Sequence, residues 1–343
     1  MMHSGITSNA LGSAGGSPTM NIPSSVEFTI ESFGRGLQSV GLRLGQVVLV
    51  HSAMRTLGRV EGGVDRIVEA LRSTLGPRGT LVAPTFTFKH EIETDPLIDP
   101  AADPSEMGII SEAVRRSPDA WRSVAFRHSF AAIGRRARVI TEVDPRLSPF
   151  DLRSSFGVML ALDAQVLLLG VTYSSSTSHH FCEWLCDVPY RHAFVRPGRV
   201  RRRGSQVERV DFVDYQPKPS ADGSYYGRQT TDFNRLGRML EETGKVGIAA
   251  VGNAVVRRFA LRDLCDLAQA EAEKDYNIFR TKENETGKVT PLKDGEIVIF
   301  VLTDGAGRRG KHQLAVVDSS RLSIPVGVTA SNLKGSIWVR DLA

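Results

Sequence analysis

Short, almost uninterrupted apolar runs recur along this chain, and stretches of helical period separate them. QVVLVHSA (Gln46 to Ala53), TLVAPTF (Thr80 to Phe86), AAIG and QVLLLGV read as buried strands. Between the first two, GGVDRIVEALRSTLG places Val64, Ile67, Val68 and Leu71 at the i, i+3, i+4, i+7 spacing of one helix face. Gly76 and Pro77 end that helix, and Thr29 is placed to cap an earlier one carrying Phe33, Leu37 and Val40. MGIISEAVRRSP, the segment after Ser176, and FALRDLCDLAQAEAEKD continue the helical series, the last with Leu261, Leu264, Cys265 and Ala268 facing inward. Strands without polar alternation must be covered on both faces, so the expected fold is α/β, a largely parallel central sheet flanked by helices. Ligands of such sheets sit beyond the carboxyl ends of the strands, which draws attention to HSA, PTF and YSSSTSHH.

The ends differ in texture. Residues 1–25 are Gly/Ser-rich without the charged and then apolar order of a secretory signal, and are expected to be a disordered leader. Residues 26–279 form the α/β domain. From 280 to 343 a polar stretch precedes GEIVIFVLTDG, HQLAVVD, LSIPVGV and SIWVRDL, a small β-rich C-terminal appendage. No apolar run approaches the ~20 residues of a membrane span, and the three cysteines suit a reducing cytoplasm better than a disulfide framework. A soluble, cytoplasmic protein with no membrane partner is expected.

Charge is unevenly spread. Glu91, Glu93, Asp95, Asp99, Asp103 and Glu106 form an acidic stretch, while Arg191, Arg196, Arg199, Arg201, Arg202, Arg203 and Arg209 crowd another against Glu208 alone. These suggest two surfaces, one fit for cations and one for anions. The RRR run, Arg201 to Arg203, lacks aromatic interleaving and a helix-turn-helix pattern around it, so a solvated loop is expected there and no nucleic-acid partner. A homodimer is compatible with the chain, whose sequence does not decide oligomeric state.

The stretch STSHHFCEW (Ser176 to Trp184) carries the densest chemistry. On a helix His180 and Glu183, three apart, share a face, and a carboxylate beside an imidazole fixes its tautomer and raises its basicity. Such a pair can solvate and cap a helix, act as a general base, or contribute to a zinc site. The last needs a further histidine where Trp184 stands, so no metal is expected. Cys182, off that face, reads as packing.

Residues 49–88, LVHSAMRTLGRVEGGVDRIVEALRSTLGPRGTLVAPTFTF, resemble the opening of the aminoglycoside 3-N-acetyltransferases, which read VHSSL, then G-x-VxGG, a helix, GPxGTLV and PTF. DPSEMGIISEAVRRSP is similar to that family's TPSxMGxLxEAxRxxP, RHSFAAIG to its THSxAAIG, TSHHFCEW to its TSLHLAEH, and the RRFALRDLCDLA stretch to its closing RxFxxRDLVDFA. The resemblance spans roughly Thr29 to Ala270 in collinear order. It implies acetyl-CoA as co-substrate, a small-molecule amine as acceptor, His180 as the base that deprotonates the amine, and Glu183 as its carboxylate. It also implies a coenzyme cleft lined by His51, Ser52, Ala53, Met54, Arg55, Gly58, Pro84, Thr85, Phe86, Arg122, Ser123, His128 and Ser129. Acceptor contacts fall to Thr177 and Ser178 beside the base and to Glu91, Asp99 and Asp103, carboxylates suited to a polycationic aminoglycoside. Three departures bear on the acceptor: Ala125 and Phe126 replace a His-Pro pair, Trp184 replaces a histidine, and Ala53 a serine. The arginines favour another acceptor, an amine on an anionic molecule such as a phosphonate, nucleotide or sugar, as in biosynthetic relatives. A non-catalytic scaffold of the same fold is the third alternative.

Overall fold

The computed structural model describes residues 29–281, apart from 61, 94, 203–205 and 218–230, and the backbone of strands at 297–303, 309–318 and 321–323. The leader at 1–25, the SIWVRDL segment and most of LSIPVGV lie outside the described residues.

The chain opens with α1 (Ile30–Ser39), β1 (Val47–Ser52), a short α2 (Met54–Leu57), α3 (Gly63–Leu75) and β2 (Thr80–Pro84). There follow β3 (Leu97–Ile98), α4 (Ile109–Arg116), β4 (Trp121–Arg122), β5 (Phe130–Gly134), α5 (Ala137–Thr141) and α6 (Ser155–Ala161). Next come β6 (Gln165–Leu169), α7 (Ser178–Leu185) and a hairpin of β7 (Arg191–Arg201) and β8 (Val207–Pro217). The body closes with α8 (Phe233–Glu242), β9 (Gly247–Val251), β10 (Ala254–Ala260) and α9 (Leu261–Ala272). Beyond it, β11 (Ile297–Thr303), β12 (Arg309–Asp318) and β13 (Arg321–Ser323) pair antiparallel as a separate three-stranded sheet.

Seven strands form the central sheet in the order β4-β5-β2-β1-β6-β10-β9. Its helical cover is as expected, but the sheet is parallel only at its centre. β1 runs parallel to β2 and β6, whereas β5, β4, β10 and β9 are added antiparallel. β9 and β10 are joined by a tight turn at Gly252, too short for a crossover and so committed to an antiparallel pair. The whole-apolar strands are explained by parity. Val47 and Leu49 of β1, Val82 of β2, and Val166 and Leu168 of β6 enter one core with Phe156, Phe181, Phe233 and Leu264. Their neighbours Val48, Val50, Leu81, Leu167 and Leu169 enter the opposite core with Phe33, Leu37, Ile67 and Leu71. Thr29 caps α1 by accepting the Ser32 N–H, and Gly76, at φ 66°, ends α3.

Most of the arginine-rich segment is strand, with Arg201 ending one strand, Arg202 beyond it and Arg203 outside the described residues. It is the β7–β8 hairpin, eleven residues a strand, joined to the body through β3 and a small core of Ile98, Val124, Phe126, Val200, Val210 and Phe212. Its inward positions are spaced by two (Val200; Val210, Phe212), and the intervening arginines disguise them. Phe126, one of the departures from the family pattern, is the body's anchor for this hairpin, its ring 6.0 Å from that of Phe212.

One packing detail yields a stability test. An added Cβ at Gly157 of α6 would stand 1.8 Å from the Leu152 carbonyl oxygen, and backbone cannot swing aside as a side chain can. Gly157→Ala is expected to lower stability by about 1–3 kcal/mol, in spite of alanine's better helix propensity. Urea unfolding checks this; a midpoint that rises would contradict the packing.

Candidate active site

Strand β6 ends at Leu169, and Gly170, at φ 71°, turns the chain toward α7. A Cβ there would lie 1.9 Å from Thr56 Oγ1, which donates to the Gly170 carbonyl at 2.8 Å, so glycine lets the β1–α2 turn close against the β6 exit. The first turn of α7 thus stands beyond the carboxyl ends of the parallel strands.

His180 and Glu183 project from one face of α7, with His180 Nδ1 2.5 Å from Glu183 Oε2. The imidazole is one-quarter exposed and the carboxylate wholly buried, so the pair points a partly open ring outward from a shielded anion. The His180 ring meets the edge of Phe233 at 4.8 Å and lies 6.2 Å from Phe150. Glu183 also receives the Tyr190 hydroxyl at 3.0 Å and lies 3.4 Å from Arg191 Nη1. Burial pushes the Glu183 carboxyl upward, but Arg191, His180 and the hydrogen bonds from His180 and Tyr190 outweigh it and hold the group below the usual carboxylate range. At neutral pH Glu183 is ionised.

His179 occupies the opposite environment. It is fully buried, donates Nδ1–H to the Ser176 carbonyl at 3.2 Å and stacks on the ring of Phe233 at 4.8 Å. Burial lowers its pKa to about 3, so it stays neutral. Cys182 is buried with its sulfur 3.9 Å from that of Cys265, and burial raises its thiol well above the ordinary value. It is a packing residue, as its position off the His180 face suggested. Thr177 and Ser178 are buried at the start of α7.

The expected cleft residues fall into two groups. At the β1 exit, His51 is buried, Ser52, Ala53, Met54 and Gly58 are half-buried, and Arg55 is exposed. Burial drops the His51 pKa to about 4, and its Nε2 has no hydrogen-bond partner among the described residues. At the β2 exit, beyond Pro84, polar groups are largely spent on one another. Arg122 donates to the carbonyls of Thr85 (2.5 Å), Asp103 (2.5 Å) and Pro100 (3.1 Å). Thr85 and Ser129 share a hydroxyl contact at 3.2 Å, and Ser123 Oγ accepts the Phe130 N–H at 2.8 Å. His128 lies between the rings of Phe86 (4.8 Å) and Phe150 (5.0 Å), and Phe150 connects it to His180.

The acidic and basic segments do not form two ligand surfaces; they face each other. Asp95 pairs with Arg199 at 3.0 Å and Arg209 at 3.9 Å, and Asp99 with Arg201 at 3.6 Å. Glu91 lies 2.6 Å from buried Arg127, which also binds Asp214 of β8 at 3.1 Å. Asp103 is held by Lys89 at 2.5 Å and His90 at 3.0 Å. Opposite charges far apart in sequence are brought together by the hairpin, in a segment whose sequence suggests a loop. Among the described residues, no three His, Cys, Asp or Glu side chains are arranged to hold a metal ion. No helix there is long and apolar enough to cross a membrane.

Sequence reasoning missed Tyr190, Arg191, Phe150 and Phe233. The first two follow the motif by a turn and carried no signal beyond the arginine count; the aromatics reach the site only through the fold.

A histidine in contact with a buried carboxylate stands at the exit of a parallel strand in an α/β sheet. Residues 49–273 match the family model described as Aminoglycoside 3-N-acetyltransferase. The chain is 31% identical over 246 residues to aminoglycoside N(3)-acetyltransferase IV of Salmonella sp, covering 71% of this chain and 87% of that one. It is also 31% identical to aminoglycoside N(3)-acetyltransferase VII of Streptomyces paromomycinus, covering 70% and 90%. Among solved structures, aminoglycoside acetyltransferase AAC(3)-IVa superposes with a TM-score of 0.60 at 29% identity, over 76% of this chain and 94% of that one. The same protein has been solved as a histidine-to-alanine mutant in complex with a gentamicin. The chain belongs to the aminoglycoside 3-N-acetyltransferase family and is an acetyl-CoA-dependent N-acetyltransferase.

Proposed function

We propose that this protein acetylates an amino group of an aminoglycoside-type acceptor by direct attack on acetyl-CoA, with His180 as general base. The His180–Glu183 contact at 2.5 Å carries the reading, because it sets a proton-accepting imidazole against a buried anion. An alkyl ammonium cannot attack a thioester until a base removes its proton. His180 takes that proton and passes it to solvent; the amine nitrogen then bonds to the carbonyl carbon, and as the C–S bond breaks the second proton leaves the nitrogen through His180 for the departing thiolate. General-base assistance of this kind contributes about 10²- to 10⁴-fold, and juxtaposing the two substrates adds to it. No acyl-enzyme is needed, which fits the burial of Cys182.

The β1 exit suits the coenzyme. Buried His51 offers an unpartnered nitrogen to a hydrogen-bonding group such as a pantetheine amide, and exposed Arg55 and Arg59 suit its phosphates. Pro84, Phe86, Arg122, Ser123 and Ser129 support the wall behind the cleft, while Thr177, Ser178 and His128 border the base. Asp99, Asp103 and Glu91 are likewise spent, on Arg201, on Lys89 and His90, and on buried Arg127, so the acceptor contacts fall to the groups beside the base. The ion pairs of Arg199, Arg201 and Arg209 with Asp95 and Asp99 weaken the alternative of an anionic acceptor, since those arginines already have carboxylate partners. Residues 26–279 constitute the catalytic body and 280–343 an appendage; a cytoplasmic site follows from the location of acetyl-CoA.

Incubating the full chain with acetyl-CoA and a panel of aminoglycosides and anionic amines is expected to release free thiol, and a product one acetyl group heavier, with the aminoglycosides. Turnover confined to the anionic amines would replace the acceptor class. Silence across the panel, with coenzyme binding absent, would favour the scaffold.

A further inference from the structure

After α7 the chain reverses at Asp187, φ 46°, with Val188 N–H returning to the Glu183 carbonyl at 3.3 Å. The reversal brings Tyr190 and Arg191, at the start of β7, beneath the Glu183 carboxylate. Arg191 is itself nearly buried, its guanidinium 4.9 Å over the ring of Tyr215 from β8. Arg280 lies 4.9 Å over the ring of Tyr190. Neither Tyr190 nor Arg191 belongs to the STSHHFCEW stretch, and both bear on Glu183 rather than on the open face of His180.

The charge on Glu183 decides which nitrogen of His180 carries hydrogen. An ionised carboxylate accepts Nδ1–H and leaves the lone pair on Nε2, where a proton can be taken up. A neutral carboxylic acid would donate to Nδ1 instead and leave hydrogen on Nε2, a tautomer with nothing to offer an ammonium group. A carboxyl with no exposure and no cation beside it takes the neutral form. Charged and titratable groups that bear on Glu183 include His179, His180, Cys182 and Cys186 of α7 and its cap, Tyr190, Arg191, and Tyr215 of β8. Arg191 brings a permanent positive charge to 3.4 Å from the carboxylate.

We propose that Arg191, assisted by Tyr190, is a positioning residue that keeps Glu183 ionised and thereby holds His180 in the tautomer able to accept a proton. The inference rests on the reading of His180 as the base, and it extends the site to the first residue of the β7–β8 hairpin. The hairpin therefore supplies the charge that the base requires.

The test compares wild type with Arg191→Gln, Arg191→Lys and Tyr190→Phe. In Arg191→Gln the acid limb of kcat/KM is expected to move upward by about 1–3 pH units, with little change in the KM for acetyl-CoA. Arg191→Lys, which restores the charge, returns the limb toward the wild-type position, and Tyr190→Phe moves it less. Nitrogen-15 NMR of the full-length protein at neutral pH is expected to show hydrogen on His180 Nδ1 in wild type and on Nε2 in Arg191→Gln. Should Arg191→Gln fail to fold, Tyr190→Phe must still move both readouts in the same direction. Profiles and tautomers that stay put in every folded variant would overturn the proposal. A tautomer switch without turnover of any amine would leave it standing and refute the base reading instead.

Discussion

Replacing His180 with alanine is expected to lower kcat for acetyl transfer by about 10²- to 10⁴-fold while coenzyme binding survives. The size follows from the role. In the proposed mechanism the ring takes up the proton that blocks the amine lone pair, and no neighbouring group can substitute. His179 is buried, stacked on Phe233 and kept neutral by burial, and the Cys182 thiol is both buried and raised. Glu183 is wholly buried and hydrogen-bonded by Tyr190, so it cannot reach the acceptor in place of the missing ring. The fold tolerates the change, because the imidazole is partly exposed and Glu183 keeps Tyr190 and Arg191 as partners. Steady-state thiol release gives the loss, and calorimetric titration with CoA confirms that the cleft persists. A variant retaining more than about one-tenth of wild-type kcat would remove His180 from the chemistry.

Much of this site could be read in advance because its core is local. His180 and Glu183 are three residues apart on one helix, and helical geometry alone puts them together. The strand exits that frame them were equally plain, since β1, β2 and β6 are apolar on both faces and end in polar turns. What escaped is what depends on contacts between distant segments. The antiparallel flanks of the sheet were hidden because an apolar run carries no mark of direction, and only the short β9–β10 turn betrays it. The hairpin was hidden by its arginines, which look solvated until Asp95, Asp99 and Asp214 are known to face them. The same juxtaposition altered the reading of charge. Acidic and basic stretches about 100 residues apart suggested two ligand surfaces, but folding sets one against the other. Phe126 belongs to this set: its place in the sequence looked like damage to a family motif, and in the fold it is the apolar seat for β8.

Acid is expected to destabilise the protein well before its carboxylates titrate. His51 and His179 are buried and neutral, with pKa values of about 4 and about 3, whereas in the unfolded chain each titrates near 6.5. Between pH 6.5 and about 4 the unfolded state therefore binds protons that the native state refuses, and stability falls as pH falls. Each histidine costs about 1.4 kcal/mol per pH unit across that window, or on the order of 3 kcal/mol apiece by about pH 4. The sum is a large part of the roughly 5–15 kcal/mol that holds a domain folded. Asp103 and Glu183, whose carboxyls are held below the ordinary range, add their own loss only as pH drops beneath the unfolded carboxylate values of about 4. The two effects are thus separated in pH. His179 offers a clean dissection, because the family pattern TSLHLAEH carries leucine at that position. Leucine can pack on Phe233 without a nitrogen to protonate, and the backbone N–H of residue 179 still reaches the Ser176 carbonyl at 3.2 Å. His179→Leu is expected to roughly halve the slope of unfolding free energy against pH between about 6 and 4.5, leaving the contribution of His51. Urea unfolding at closely spaced pH values measures both slopes, and equal slopes for wild type and variant would show that the buried histidine does not govern acid stability.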